Sequence, residues 1–253
     1  MSDEFLSGTT TVTGHAGTTI EAYAATPTSL TGAGGIVVIH HMPGFDDPTK
    51  EIVRRFASWG YAAVSPNLHH RDAPGASPDD AAAANRANGG VSDEQLVGDV
   101  GGAVEHLRGL EGVNGKVAVI GYCSGGRQSV LAACALDLDA AIDCYGAFVL
   151  ASPPEGSGLS MTSLRDRLGG LTAPLLGLFG ADDAHPSPAE VAQLDEVLTG
   201  LGKPHDFHSF EGAGHGFFAV DRPGYRPSAA VEGWSLIEGF LDEHLGTPPG
   251  RGR

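Results

Sequence analysis

Cys123 is the side chain in this sequence whose surroundings point most directly to chemistry. It stands in Gly121-Tyr122-Cys123-Ser124-Gly125-Gly126, after the β-branched run Lys116-Val117-Ala118-Val119-Ile120 and before an Ala/Leu-rich segment from Arg127 to Leu136. Strand, Gly-x-Cys-x-Gly, helix is the context of a nucleophile elbow. A strand that reverses into a helix within a few residues brings neighbouring chain too close for a Cβ, so glycines flank the apex. The apex residue itself is forced into a strained conformation with its side chain raised above the sheet. A thiol placed there is helped to ionise by the positive end of the following helix and by a base brought from elsewhere.

The thiol needs a base, and the base needs a carboxylate to orient it. Downstream, Gly180-Ala181-Asp182-Asp183 follows one predicted strand, and Gly212-Ala213-Gly214-His215-Gly216-Phe217-Phe218 follows the next. Nucleophile, acid, histidine is the chain order of the α/β-hydrolase fold. His215 sits among small residues, so its ring can approach the thiol unobstructed. Either Asp182 or Asp183 can be the acid, the other serving to cap a helix that begins near Pro186 or Pro188. An oxyanion hole would use the backbone N–H of Ser124 and one from the loop after the strand Gly35 to Ile39. Pro43 has no N–H, which leaves Met42.

The elements that must position these residues follow from the hydrophobic pattern. Thr9 to Thr13 and Thr19 to Ala24 are expected to form a hairpin around His15-Ala16-Gly17, and Gly35 to Ile39 a buried strand. A helix over Pro48 to Trp59 places Ile52, Val53 and Phe56 on one face; Tyr61 to Ser65 is the next strand. Leu68 to Val91 carries little periodic signal and is expected to cross the active-site edge as a connection. Asp93 to Leu110 is helical and leads into the elbow strand. After the elbow come strands over Ala140 to Tyr145, Pro174 to Phe179 and His205 to Phe210, with helices over Pro188 to Leu201 and Ala229 to Leu245. Ala151 to Gly158 is a Pro/Gly-rich loop, and Gly246 to Arg253 a frayed tail. Alternating strands and helices imply a mostly parallel sheet flanked by helices on both faces, whose sites lie at the carboxyl ends of the strands. No composition shift divides residues 1–253, so one domain is expected.

Of the 253 residues, 41% are hydrophobic and 18% charged, and the formal net charge is -16. That charge argues against nucleic acid or an anionic membrane as partner, and requires any anionic substrate to be held by a local basic residue. No apolar run approaches spanning length, and Met1-Ser2-Asp3-Glu4 lacks the basic start of a signal peptide, so a cytoplasmic location is expected. Three widely spaced cysteines suggest no disulfide framework; Cys134 and Cys144 are expected as buried filling. His40, His41, His69 and His70 fall near one sheet edge, but adjacent histidines at a strand end point in opposite directions. No metal and no cofactor are expected.

The sequence resembles the dienelactone hydrolases (carboxymethylenebutenolidases) over roughly Thr9 to Leu245. The most specific pieces are Gly121-Tyr122-Cys123-Ser124-Gly125-Gly126, Tyr61-Ala62-Ala63-Val64-Ser65-Pro66-Asn67-Leu68 and Ala213-Gly214-His215-Gly216-Phe217. That resemblance implies an α/β-hydrolase fold with Cys123, Asp183 and His215 as the triad, Asp183 rather than Asp182 filling the acid position. It also implies that Arg71, in His70-Arg71-Asp72-Ala73-Pro74-Gly75, grips a substrate carboxylate. The chain departs from the family at His41, where a glutamate is usual, and at Ala219, where a second arginine is usual; Arg222 and Arg226 lie nearby. His41 in that position could hydrogen-bond the thiol when neutral, or favour the thiolate when protonated.

The expected activity is hydrolysis of a small activated ester or enol-lactone through a thioester, by a monomer or homodimer acting on a small molecule. The retuned pocket keeps a cyclase, isomerase or acyl transferase as the alternative within enzymes. A small-molecule binding module is the alternative outside them.

Overall fold

A computed structural model describes residues 4–153 and 161–249. Most of the Pro/Gly-rich loop expected at Ala151 to Gly158, and the end of the expected tail at 250–253, lie outside the described residues.

Eight strands form one sheet: β1 Phe5–Thr13, β2 Thr19–Pro27, β3 Ala33–Ile39, β4 Ala62–Pro66, β5 Val113–Tyr122, β6 Ala140–Cys144, β7 Leu175–Gly180 and β8 His205–Phe210. Their spatial order is β1-β2-β4-β3-β5-β6-β7-β8. The β1–β2 hairpin is antiparallel, β2 pairs antiparallel with β4, and every later pairing is parallel. The helices are α1 Asp47–Ser58, α2 Pro78–Ala87, α3 Asp93–Arg108, α4 Ser124–Ala135, α5 Pro188–Gly200 and α6 Pro227–Leu245.

The two-residue period of β5 divides the core. Val117 and Val119 point to one face and pack with Leu96 and Leu107 of α3, Leu131 of α4 and Leu194 of α5. Ala118, Ile120 and Tyr122 point to the other and pack with Phe56 of α1 and Ile237 and Leu241 of α6. Both faces are thus buried, which is why the parallel strands are nearly continuous apolar runs.

α2 is a correction to the expected connection between Leu68 and Val91. Its Ala-rich sequence has no apolar stripe, so periodicity missed it. The end signals are nonetheless present: Ser77 accepts from the Asp80 N–H, Pro78 occupies the first turn with Asp79 and Asp80, and Arg86 lies in the last. This helix crosses the carboxyl edge of the sheet and brings Arg86 toward the site. Among the described residues, no helix is long and apolar enough to cross a membrane.

Candidate active site

The elbow is built by crowding. A Cβ on Gly121 would lie 1.8 Å from the Gly125 carbonyl oxygen, and one on Gly125 would lie 2.4 Å from that of Ile39. Between them Cys123 is held at φ 56°, ψ −119°, a backbone state that costs about 1–3 kcal/mol for a residue with a side chain. Two bonds pin it: the Cys123 N–H donates to the Cys144 carbonyl at 3.0 Å, and Gly126 N–H donates to the Cys123 carbonyl at 2.9 Å. Ser124 opens α4, so its N–H belongs to the helix end that has no internal acceptor.

His215 bridges the thiol and a carboxylate. Its Nε2 lies 3.1 Å from Cys123 Sγ and its Nδ1 2.8 Å from Asp183 Oδ2. The other Asp183 oxygen accepts from the His185 N–H at 2.9 Å, which fixes the carboxylate plane. Asp183 is buried, whereas Asp182 is exposed. Burial acts to lower the His215 pKa, but its hydrogen bonds to Asp183 and Cys123, with their charges, outweigh that and raise it to about 10.

A chamber of about 340 Å³ opens over this group, walled by Met42, Ser124, Ala147, Phe148, Met161, Ala184 and His185 beside Cys123, Asp183 and His215. Its wall is strapped down from behind. Arg127, itself buried, donates to the Phe148 carbonyl at 3.3 Å and the Thr162 carbonyl at 2.5 Å, and lies 3.5 Å from Asp93. Met42, Ser124 and Met161 also border a smaller, more polar recess of about 50 Å³. There the side chains of Arg86, His69 and Gln128 converge, with His69 Nδ1 and Gln128 Oε1 lacking partners. Sequence reading missed Arg86 because it sits at the end of the helix that periodicity did not reveal.

Comparison with known proteins agrees with this architecture. The dienelactone hydrolase family model matches residues 20–245. The carboxymethylenebutenolidase of Pseudomonas putida is 30% identical over 201 residues, covering 78% of this chain and 80% of that one. The chain belongs to the dienelactone hydrolase family. A Klebsiella pneumoniae protein provisionally named a dienelactone hydrolase superposes with a TM-score of 0.83 at 24% identity, over 95% of this chain and 99% of that one. A metagenomic dienelactone hydrolase-like promiscuous phosphotriesterase superposes at 0.73 with 22% identity, over 95% and 99% of the two chains. The family is one of hydrolases, and the fold is the α/β-hydrolase fold with its mostly parallel sheet.

Of the two residues expected to contact substrate, His41 borders the polar recess beside Met42 and Ser124, whereas Arg71 borders neither it nor the chamber. Arg71 does not border the chamber: its guanidinium grips Asp99 of α3 at 2.7 and 2.9 Å and donates to the His15 carbonyl at 3.2 Å. Asp99 has no solvent exposure, so the arginine is the counter-charge that makes its burial tolerable. His41 Nε2 lies 2.5 Å from Asp46 Oδ2. Burial acts to raise Asp46, but His41 and the Thr49 contacts outweigh it and hold the carboxyl at about 2. His41 and Ala219, the two departures from the family pattern, border one apolar cavity of about 110 Å³ together with Tyr122, Tyr145 and Trp234. Arg222 lies 3.9 Å from Asp221, and Arg226 donates to the Gly212, Pro223 and Tyr225 carbonyls.

Of the histidines expected near this sheet edge, the rings of His40 and His70 are hydrogen-bonded to backbone. His40 Nδ1 donates to the His41 carbonyl at 2.9 Å, and its Nε2 accepts from Leu68 N–H at 3.1 Å. Burial, reinforced by His69, pushes His40 down to about 3, and burial takes His69 to about 4. His70 Nδ1 accepts from the Glu21 N–H at 3.4 Å. Among the described residues, no group of three or more His, Cys, Asp or Glu could hold a metal ion.

Arg71 therefore carries a stability prediction. Arg71→Ala leaves Asp99 buried without its counter-charge and should lower the unfolding free energy by about 3 kcal/mol in urea titrations. The KM of the folded variant should stay within about twofold, because no chamber contact is lost.

Proposed function

We propose that this protein is a cysteine hydrolase that opens small activated esters or lactones, enol-lactones above all, through a thioester. The observation that carries the reading is the His215 ring held between Cys123 Sγ at 3.1 Å and Asp183 at 2.8 Å, at the floor of an apolar chamber. Asp183 orients the ring, and His215 takes the thiol proton or maintains the thiolate at Cys123. The thiolate attacks the acyl carbon, and the oxyanion is received by the N–H groups of Ser124 and Met42. Collapse breaks the acyl–oxygen bond, and His215 gives its proton to the departing enolate. Water then attacks the thioester while His215 takes a proton, and the acid leaves with Cys123 restored.

Leaving-group chemistry narrows the substrate. A thiolate is expelled more readily than an alkoxide, so an unactivated alkyl ester would revert from the tetrahedral adduct. An enol or aryloxide leaves well enough to compete. The apolar chamber suits a compact hydrocarbon body, and Arg86 at the adjoining recess suits a carboxylate, since the net charge of -16 offers anions no general attraction.

Three outcomes are expected. Cys123→Ala should abolish turnover of enol-lactones and activated aryl esters, lowering kcat at least about 10³-fold; product analysis must show the free acid, and a cyclised or transferred product would overturn hydrolysis. Arg86→Ala should raise KM about tenfold for carboxylate-bearing substrates, leaving neutral esters unchanged. The third concerns pH. Because the folded His215 pKa of about 10 lies above the ordinary value near 6.5, its pairing stabilises the fold fully below about pH 6.5 and is lost as pH rises through about 10. The stability gap between wild type and His215→Gln, read from denaturation, should therefore close between about pH 7 and pH 11.

A further inference from the structure

One buried acid beside the elbow has no part in the chemistry so far. Asp143 lies on β6, opposite Gly121 in the β5–β6 register, and has no solvent exposure. Its Oδ1 accepts from the Gly146 N–H at 2.7 Å, while Oδ2 is buried without a hydrogen-bond partner. Space for the carboxyl exists only because two neighbours are glycines. A Cβ on Gly126 would lie 2.3 Å from Oδ1, and one on Gly146 2.5 Å from it. An acid fitted this closely into the back of the elbow is not passive filling, since an apolar residue would avoid the cost of burying an unpartnered oxygen.

What the bond to Gly146 holds is a strained turn. Tyr145 and Phe148 both have positive φ, 47° and 61°, so the chain leaving β6 is bent in a way that side-chain-bearing residues resist. The bend has consequences on both sides of the catalytic group. The Tyr145 ring meets the His215 ring edge-on at 5.2 Å and Phe217 at 5.2 Å. Phe148 borders the chamber and stacks on the His185 ring at 5.6 Å and 28°. The N–H of that same His185 donates to Asp183.

We propose that Asp143 is a positioning residue: by holding Gly146 it fixes the turn through which Tyr145 braces His215 and Phe148 braces His185 beside Asp183. The inference rests on the Cys123–His215–Asp183 reading. Its effect should appear in the chemical step rather than in binding, because a small displacement of the base misaligns proton transfer while the chamber persists.

The test compares three variants, using turnover of an activated aryl ester and alkylation of Cys123 by iodoacetamide, which needs no substrate. Asp143→Asn keeps an oxygen that can accept from Gly146, and should retain kcat and alkylation rate within about threefold. Asp143→Ala, and Asp143→Val as the space-filling version, should lower kcat about 10- to 100-fold with KM moved less than about twofold. They should also shift the pH profile of alkylation relative to wild type. Wild-type kcat and profile in folded Asp143→Ala or Asp143→Val would overturn the proposal. So would a loss confined to KM, or an Asn variant as impaired as Ala. Failure of both Ala and Val to fold beside an active Asn variant would mark Asp143 as a stability residue only, and equally overturn it. Turnover that survives Cys123→Ala in the same assay would instead overturn the nucleophile itself, whatever the Asp143 variants do.

Discussion

At the end of β5 the chain turns back into α4 through a space that admits no side chain at Gly121 or Gly125, and this crowding leaves Cys123 one backbone conformation. The strain is sustained because the surrounding structure over-determines it: strands on both sides of β5 are paired in parallel register, and the carbonyl of Cys144 holds the Cys123 N–H. The same conformation lifts Sγ clear of the sheet and starts a helix beneath it. The rest of the site is arranged around that fixed point. The loops after β7 and β8 carry Asp183 and His215, the loop after β3 carries Met42, and α2 lies at one side.

Charge is managed locally in a chain that is acidic throughout. Three buried or half-buried carboxylates have a side-chain partner: Asp99 has Arg71, Asp46 has His41, and Asp183 has His215. Asp143 alone is answered only by one backbone N–H, and burial pushes it up to about 7. The pairings differ in purpose. Arg71 is engaged by Asp99 and the His15 carbonyl, whereas Arg86 is exposed at the recess next to Ser124. His41 is bound to Asp46, the residue that caps α1, and borders the recess as well.

Legibility in the sequence followed the range of the interactions. The elbow could be read because strand, glycines and helix are contiguous, and the proximity of Asp183 and His215 to Cys123 could be expected because each follows a strand in a fixed order. Helix α2 escaped because an alanine-rich helix over an edge has no apolar stripe; only Ser77-Pro78-Asp79-Asp80 announced it. The pairing of Arg71 with Asp99, 28 residues away and wholly buried, is one that no local pattern advertises. Asp143 looked like an ordinary strand residue, since what distinguishes it is the pair of glycines that fold against it.

The account stands on Cys123 as the atom that takes the acyl group, and intact-mass measurement of protein quenched during turnover of an enol-lactone or activated aryl ester tests it most directly. It predicts a transient adduct of the acyl mass, mapped to Cys123 by peptide analysis and absent from Cys123→Ser. Turnover with no adduct at Cys123, or an adduct on another residue, would contradict it.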